Sequence, residues 1–341
     1  MHFPDDIEEL LDRIRKAEDS QKNQRNRALW GMDGHSSECE WRGLPQRDKP
    51  CPITIEPEAP MWADVLDFSL SRFYTEPEEY LRRTLQMSLY RFERWDENTC
   101  IDRQVPIWLG VTLEPSLFGV ETVYRDDACP WISPEPVIES REDLERMEMP
   151  DFFSSGDMPT AHTVYAGIRE LLPDDFEAVF PDWQRSPFGV CAHLRGTENI
   201  LMDLVQDAGF ARAQLEFVTE CRKQWVRDRA DFVDEEVETG ILLNDEVNGN
   251  MFRPELYEDL ILPDEMELGR FQGISYWHSC GDVTDFLELI RRIPGLQIFH
   301  VGPWTDVGRA ADVMEDLVLQ VCLDPVRDVQ RAGDEHIGDR L

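Results

Sequence analysis

Gly273-Ile274-Ser275-Tyr276-Trp277-His278-Ser279-Cys280-Gly281-Asp282 reads as a short buried strand that breaks at a glycine and hands over to a helix. Alternate residues of a strand face the same side, so His278 and Cys280 are expected together at its C-terminal end. An imidazole beside a thiol offers two ligands for a metal such as zinc. A core histidine next to a buried thiol would have the same spelling, so the surrounding pattern has to decide.

That pattern is an alternation of strands and helices from Cys51 onward. Strands are expected at Pro52–Ile55, Val105–Val111, Phe176–Phe180, Gly189–Ala192, Ile241–Asn244, Leu296–His300 and Leu317–Cys322. Between them, helical spacing predicts helices at Pro77–Trp95, Ser140–Met147, Thr160–Leu172, from Thr197, and at Phe210–Val233, Arg253–Gly269, Val283–Ile293 and Asp306–Met314. Short apolar strands separated by helices form a parallel sheet covered by helices. No G-x-G-x-x-G follows the first strand and no G-x-x-x-x-G-K-[ST] occurs, so neither the dinucleotide-binding fingerprint nor a P-loop is present. Residues 51–341 suit a (β/α)8 TIM barrel, a fold of about 250 residues.

The ligand-type residues sit just after strands: Asp245 and Glu246, His278 and Cys280, His300, and Cys322 with Asp324. In a parallel barrel that is the C-terminal face, where catalytic groups gather. Residues 1–50 read as an extension: one outer helix from Asp5 to Ala28, then a loop from Gly31 to Pro50. Val326 begins a helix with no closing strand after it, which reads as a barrel truncated at its C-terminus.

Of the 341 residues, 34 are Lys or Arg and 70 are Asp or Glu, a net charge of −36. Such a surface repels phosphate backbones and anionic lipid, which disfavours nucleic-acid and membrane partners. No apolar run approaches the roughly 18–20 residues of a membrane span, and the N-terminus lacks a signal-peptide pattern. A cytoplasmic protein is the expectation. The eight cysteines are scattered without a C-x-x-C pair, so they form no disulfide framework and read mostly as buried thiols.

Four stretches, in order, resemble the uroporphyrinogen decarboxylase superfamily. Ser186-Pro187-Phe188-Gly189 leads to Arg195-Gly196-Thr197-Glu198, like the family's "RG-x-E". Asn244-Asp245-Glu246, then Arg253-Pro254-Glu255 and Leu262-Pro263, are similar to its acidic strand end and "SPE" helix. His278-Ser279-Cys280-Gly281-Asp282 matches "H-x-C-G-[ND]". Val321-Cys322-Leu323-Asp324-Pro325 is similar to "G-N-x-D-P", with Val and Cys in place of Gly and Asn.

The resemblance implies the same barrel. It lies nearer the cobalamin-dependent methyltransferase branch than the decarboxylases. The decarboxylases' arginine-rich motif is missing, since Arg42-Gly43-Leu44-Pro45-Gln46-Arg47 is not its pattern. A strongly negative chain also suits a polycarboxylate substrate poorly.

In that branch zinc, held partly by H-x-C, activates a thiol, or a zinc site with carboxylate ligands activates an ether or amine methyl donor. The resemblance therefore implies His278 and Cys280 as metal ligands, with Glu246 as a further one. Asp245 and Glu246 are candidates for the catalytic acid or base. Arg195 is a candidate for holding a substrate anion, and His300 and Trp304 for lining the pocket. Cys322 reads as a small buried residue. A corrinoid would reside on a separate protein, because the sequence carries no D-x-H-x-x-G. The rival readings are a metal-independent decarboxylase of the same fold and a non-catalytic binding protein on a barrel scaffold.

Overall fold

Leu10, Leu11 and Ile14 recur on one side of the first helix, Ile7–Glu18, and are buried. In the computed structural model, which describes residues 4–31 and 51–330, this stripe packs on the Pro77–Arg94 helix, whose own stripe is Tyr80, Leu81, Leu85, Leu89 and Phe92. The expected outer helix is thus amphipathic and docked. It is also two helices. Ser20 ends the first run and caps Gln21–Leu29 by accepting the Asn23 N–H. The second helix has little apolar surface. Its Asn23 side chain instead donates to the Ile101 carbonyl and accepts the Ile101 N–H, both at 2.8 Å.

These helices belong to the first of two compact units, formed by the described residues of 1–113, 122–131 and 157–181. Its parallel strand pair is Gln104–Pro106 with Glu177–Val179. The strand expected over Val105–Val111 is cut short after Pro106, and the Trp108 N–H goes to the Tyr80 hydroxyl. Pro52–Ile55 forms no strand. Its N–H groups at Ile53 and Ile55 are taken by the side chains of Asn98 and Glu97, not by a ladder. The loop expected up to Pro50 and the helix expected beyond Gln330 lie outside the described residues.

The second unit comprises 114–121, 132–156 and the described residues of 182–341. Its centre is a four-stranded parallel sheet in chain order: Gly240–Leu243, Ile274–His278, Ile298–Val301 and Val318–Val321. The segment around Arg185 adds a parallel bridge to Leu243 on the outer edge. The α/β class with parallel strands is as expected. Among the described residues the parallel ladders are this sheet and the strand pair above, so the full eight-stranded closure is not among them.

The two faces of the sheet differ. Leu242, Trp277 and Phe299 are fully buried, and the Trp277 and Phe299 rings stack 5.7 Å apart. Burying each such side chain is worth about 1.5–3 kcal/mol. The opposite face carries Tyr276, His278, His300 and Gln320. The register sets His300 beside Gln320, and the Tyr276 hydroxyl reaches across to Gln320. The period of two puts apolar rings under the helices and polar rings on the other side.

Two helices depart from expectation. Gly189–Ala192 lies within a helix, Pro187–Arg195, and is not a strand. Ser186 accepts the Gly189 N–H and Pro187 fills the first helical position, a start signal that outranks the short apolar run. The helix expected at Arg253–Gly269 is Pro254–Leu256, a π turn at Tyr257–Ile261, and Leu262–Gln272. Pro263 has no N–H for the Asp259 carbonyl, so the backbone widens there and Leu262 N–H bonds to Tyr257.

Candidate metal centre

The first two strands of the sheet end side by side, with Leu243 opposite His278 and the Asn244 N–H on the His278 carbonyl at 2.8 Å. Asp245, His278 and Cys280 emerge from these ends with one donor atom each, all within 4.8 Å of one another. His278 Nε2 lies 3.4 Å from Cys280 Sγ and 3.2 Å from Asp245 Oδ1. Asp245 Oδ1 also accepts the Cys280 N–H at 3.2 Å, which fixes the turn relative to the carboxylate. Burial alone would raise the Asp245 carboxyl. The His278 hydrogen bond and charge, with the Cys280 N–H, outweigh it and hold the pKa at about 2.

The other edge of His278 meets Tyr276. The Tyr276 hydroxyl donates to Gln320 Oε1 at 2.6 Å and lies 3.4 Å from His278 Nδ1. With its hydrogen given to Gln320, the phenol oxygen accepts from Nδ1–H. That turns Nε2 toward Asp245 and Cys280, where it donates to Asp245 until a metal takes the proton's place. His300 packs on the same ring at 4.0 Å between centroids, and its Nδ1 donates to the Ser279 carbonyl at 3.0 Å. Burial first, then the neighbouring His278, push the His300 imidazole down to about 4, so it stays neutral. Its place is behind the Cys280 turn, steadying it.

Glu246 is not in the cluster. Adjacent residues leave the backbone on opposite sides, and Glu246 turns to Arg185, at 2.7 Å, and His193, at 3.5 Å. Burial would raise its carboxyl, but the His193 contact and the Arg185 charge pull it below its ordinary value. Where Glu246 was expected as the third candidate donor, the structure brings Asp245 to His278 and Cys280 instead. Arg185 is set in place by Glu114, which accepts the N–H groups of Gln184 and Arg185.

Arg195 is engaged elsewhere. It pairs with Asp203 at 2.8 Å and donates to the carbonyls of Ile138 and Glu139, pinning the end of its helix. Trp304 is 59% exposed, with the Arg327 guanidinium over its ring. Its neighbour Thr305 clasps the Cys280–Asp282 turn, accepting from Val283 N–H and donating to the Gly281 carbonyl. Cys322 stands outside the three-donor group.

Sequence reasoning passed over Tyr276, Gln320, Arg185 and His193. Tyr276 had a signal: it is two residues before His278 on the same strand face. Arg185 and His193 had none, because their partner Glu246 lies more than fifty residues further along the chain.

The Uroporphyrinogen decarboxylase (URO-D) family model matches residues 102–340. No curated protein matches the chain. Among solved structures, a methyltransferase from Methanosarcina mazei superposes with a TM-score of 0.60 at 15% identity, covering 88% of this chain and 82% of that one. The likeness is one of fold. With a family match across more than half its length, the chain belongs to the uroporphyrinogen decarboxylase family.

Proposed function

We propose that this chain is a zinc-dependent methyltransferase on a (β/α)8 barrel, moving a methyl group between a small donor or thiol acceptor and a corrinoid on a separate protein. The observation that carries the reading is the convergence of Asp245 Oδ1, His278 Nε2 and Cys280 Sγ within 4.8 Å. One oxygen, one nitrogen and one sulfur suit zinc, and three protein donors leave the fourth position for a substrate. The likeness in fold to a methyltransferase supports it.

A bound zinc ion supplies Lewis acidity, lowering the pKa of a thiol or polarising a leaving oxygen or nitrogen. The residues of the chain hold the donors ready. Tyr276 and Gln320 orient the His278 ring, Asp245 stays ionised, and His300 holds the Cys280 turn without adding charge. Arg185 and Glu246 neutralise each other and leave the centre its own charge.

The test is metal content and binding. Chain purified without chelator should hold close to one zinc, lost in His278→Ala and Cys280→Ala. The intact chain should then move the methyl group of a free methylcorrinoid to a thiol, releasing the thioether and the reduced corrinoid. Protein without zinc, unchanged by His278→Ala, would refute the reading and leave the metal-independent decarboxylase.

A further inference from the structure

Glu265 lies on the Leu262–Gln272 helix, facing the apolar side of the sheet, and is completely buried. Among the described residues no cation hydrogen-bonds to it, although the buried Arg222 guanidinium feels its charge. Three neutral donors converge on it: Asn244 Nδ2 on Oε1 at 3.0 Å, Tyr257 hydroxyl on Oε2 at 2.6 Å and Trp277 Nε1 on Oε2 at 3.1 Å. All three partners are fully buried too. A carboxylate so placed is costly, since an apolar side chain would cover the sheet better. Burial pushes it up to about 7.

Two of its partners are informative. Asn244 immediately precedes Asp245, and Trp277 immediately precedes His278. Neighbouring residues point to opposite faces, so each grip on the helix side fixes a donor on the other side. The third partner, Tyr257, comes from the π turn, whose extra residue rotates it by about 100° relative to a continuous helix. π turns recur at functional sites.

We propose that Glu265 is the positioning residue of the Asp245–His278–Cys280 centre. From the helix layer it ties together, through Asn244 and Trp277, the two strand ends from which the donors project. Cys280 follows, because its N–H is held by Asp245. The inference rests on the reading of the centre as a metal site.

Three variants test it. Glu265→Leu removes every acceptor. Glu265→Gln keeps one oxygen for Tyr257 and Trp277, and its amide N–H meets Asn244 Oδ1, which has no partner and becomes available by a flip. Leu204→Ala opens a cavity in the Thr197–Gln206 helix, which packs on the helices before and after it. Zinc dissociation constants are measured by chelator competition at a temperature where all are folded. Glu265→Leu should weaken zinc about 10–100-fold, the range for outer-shell partners of a metal site. Glu265→Gln and Leu204→Ala should stay near wild type. Unchanged affinity in Glu265→Leu, or an equal loss in Leu204→Ala, would overturn the proposal.

A crystal structure of metal-free Glu265→Leu gives a readout independent of zinc. The His278 Nε2–Asp245 Oδ1 contact, 3.2 Å in the wild type, should open. Retention of that contact would refute positioning. Failure of the wild type to bind zinc would sink the metal reading alone.

Discussion

Asp245 and Glu246 are neighbours in sequence with opposite duties, and substitution separates them. Asp245 is one of three convergent donors and is partly open to solvent, so Asp245→Asn should abolish tight zinc binding and, by giving up the contacts that hold its carboxyl near 2, lower the melting temperature less than Glu246→Gln does. Glu246 is buried against Arg185, so Glu246→Gln strands a guanidinium and should destabilise the fold by about 3–5 kcal/mol while zinc still binds. Paired melting curves and zinc titrations check this. A Glu246→Gln protein of normal stability that loses zinc would reverse the assignment. At the same scale, Tyr276→Phe removes the acceptor for His278 Nδ1–H and should weaken zinc about tenfold or more, read in the same titration. That His278 and Cys280 lie together was legible because a strand's period of two and the H-x-C spacing are local. Which of two adjacent acids joins them was not, because that depends on how the chain leaves the strand.

Among the elements, the sheet was read nearly residue for residue. Its short apolar runs are bounded by turn residues and alternate with helices, which leaves one interpretation. The helix at Pro187–Arg195 was mistaken for a strand because it too is buried all round, which hides its period. Its Ser186–Pro187 start was the better evidence, and Ser186→Ala should cost about 1 kcal/mol in chemical denaturation. The Leu262–Gln272 helix carries a less legible feature. Glu265, ordinarily near 4.5, is raised to about 7, chiefly by burial and despite its three donors. Between those values the folded state keeps a proton that the unfolded chain has released. Stability from this group is therefore greatest below about pH 4.5 and falls as pH rises to 7, by on the order of 3 kcal/mol. Asp245 and Asp175, both held near 2, act oppositely, adding stability above the ordinary 3.8 and losing it toward 2. Subtracting Glu265→Gln from wild type isolates the one group. The variant's advantage should grow from pH 5 to pH 7 and then level off, and a flat difference would show that Glu265 titrates normally.

For the whole molecule, charge is the dominant long-range term. Set against 34 bases, 70 acids leave an excess of 36 negative charges that no pairing can neutralise. The ion pairs of this chain are mostly Arg with carboxylates at 2.5–3.2 Å, and many are surface pairs worth little each. Self-repulsion among the surplus acids acts over many separations at once and is screened beyond about 10 Å at 0.1 M salt. Added salt weakens both, but the repulsion has more to lose. Melting temperature should therefore rise as sodium chloride increases from about 0.01 to about 0.5 M, the range over which the screening length shrinks from about 30 Å to a few ångström. Chloride is the right anion, because sulfate would stabilise any compact protein by exclusion from its surface. A neutral variant set sharpens the reading: exchanging exposed glutamates for glutamine should raise the low-salt melting temperature and flatten the salt response together. A melting temperature that falls with sodium chloride would mean that the paired arginines, not the surplus negative charge, govern the stability of this fold.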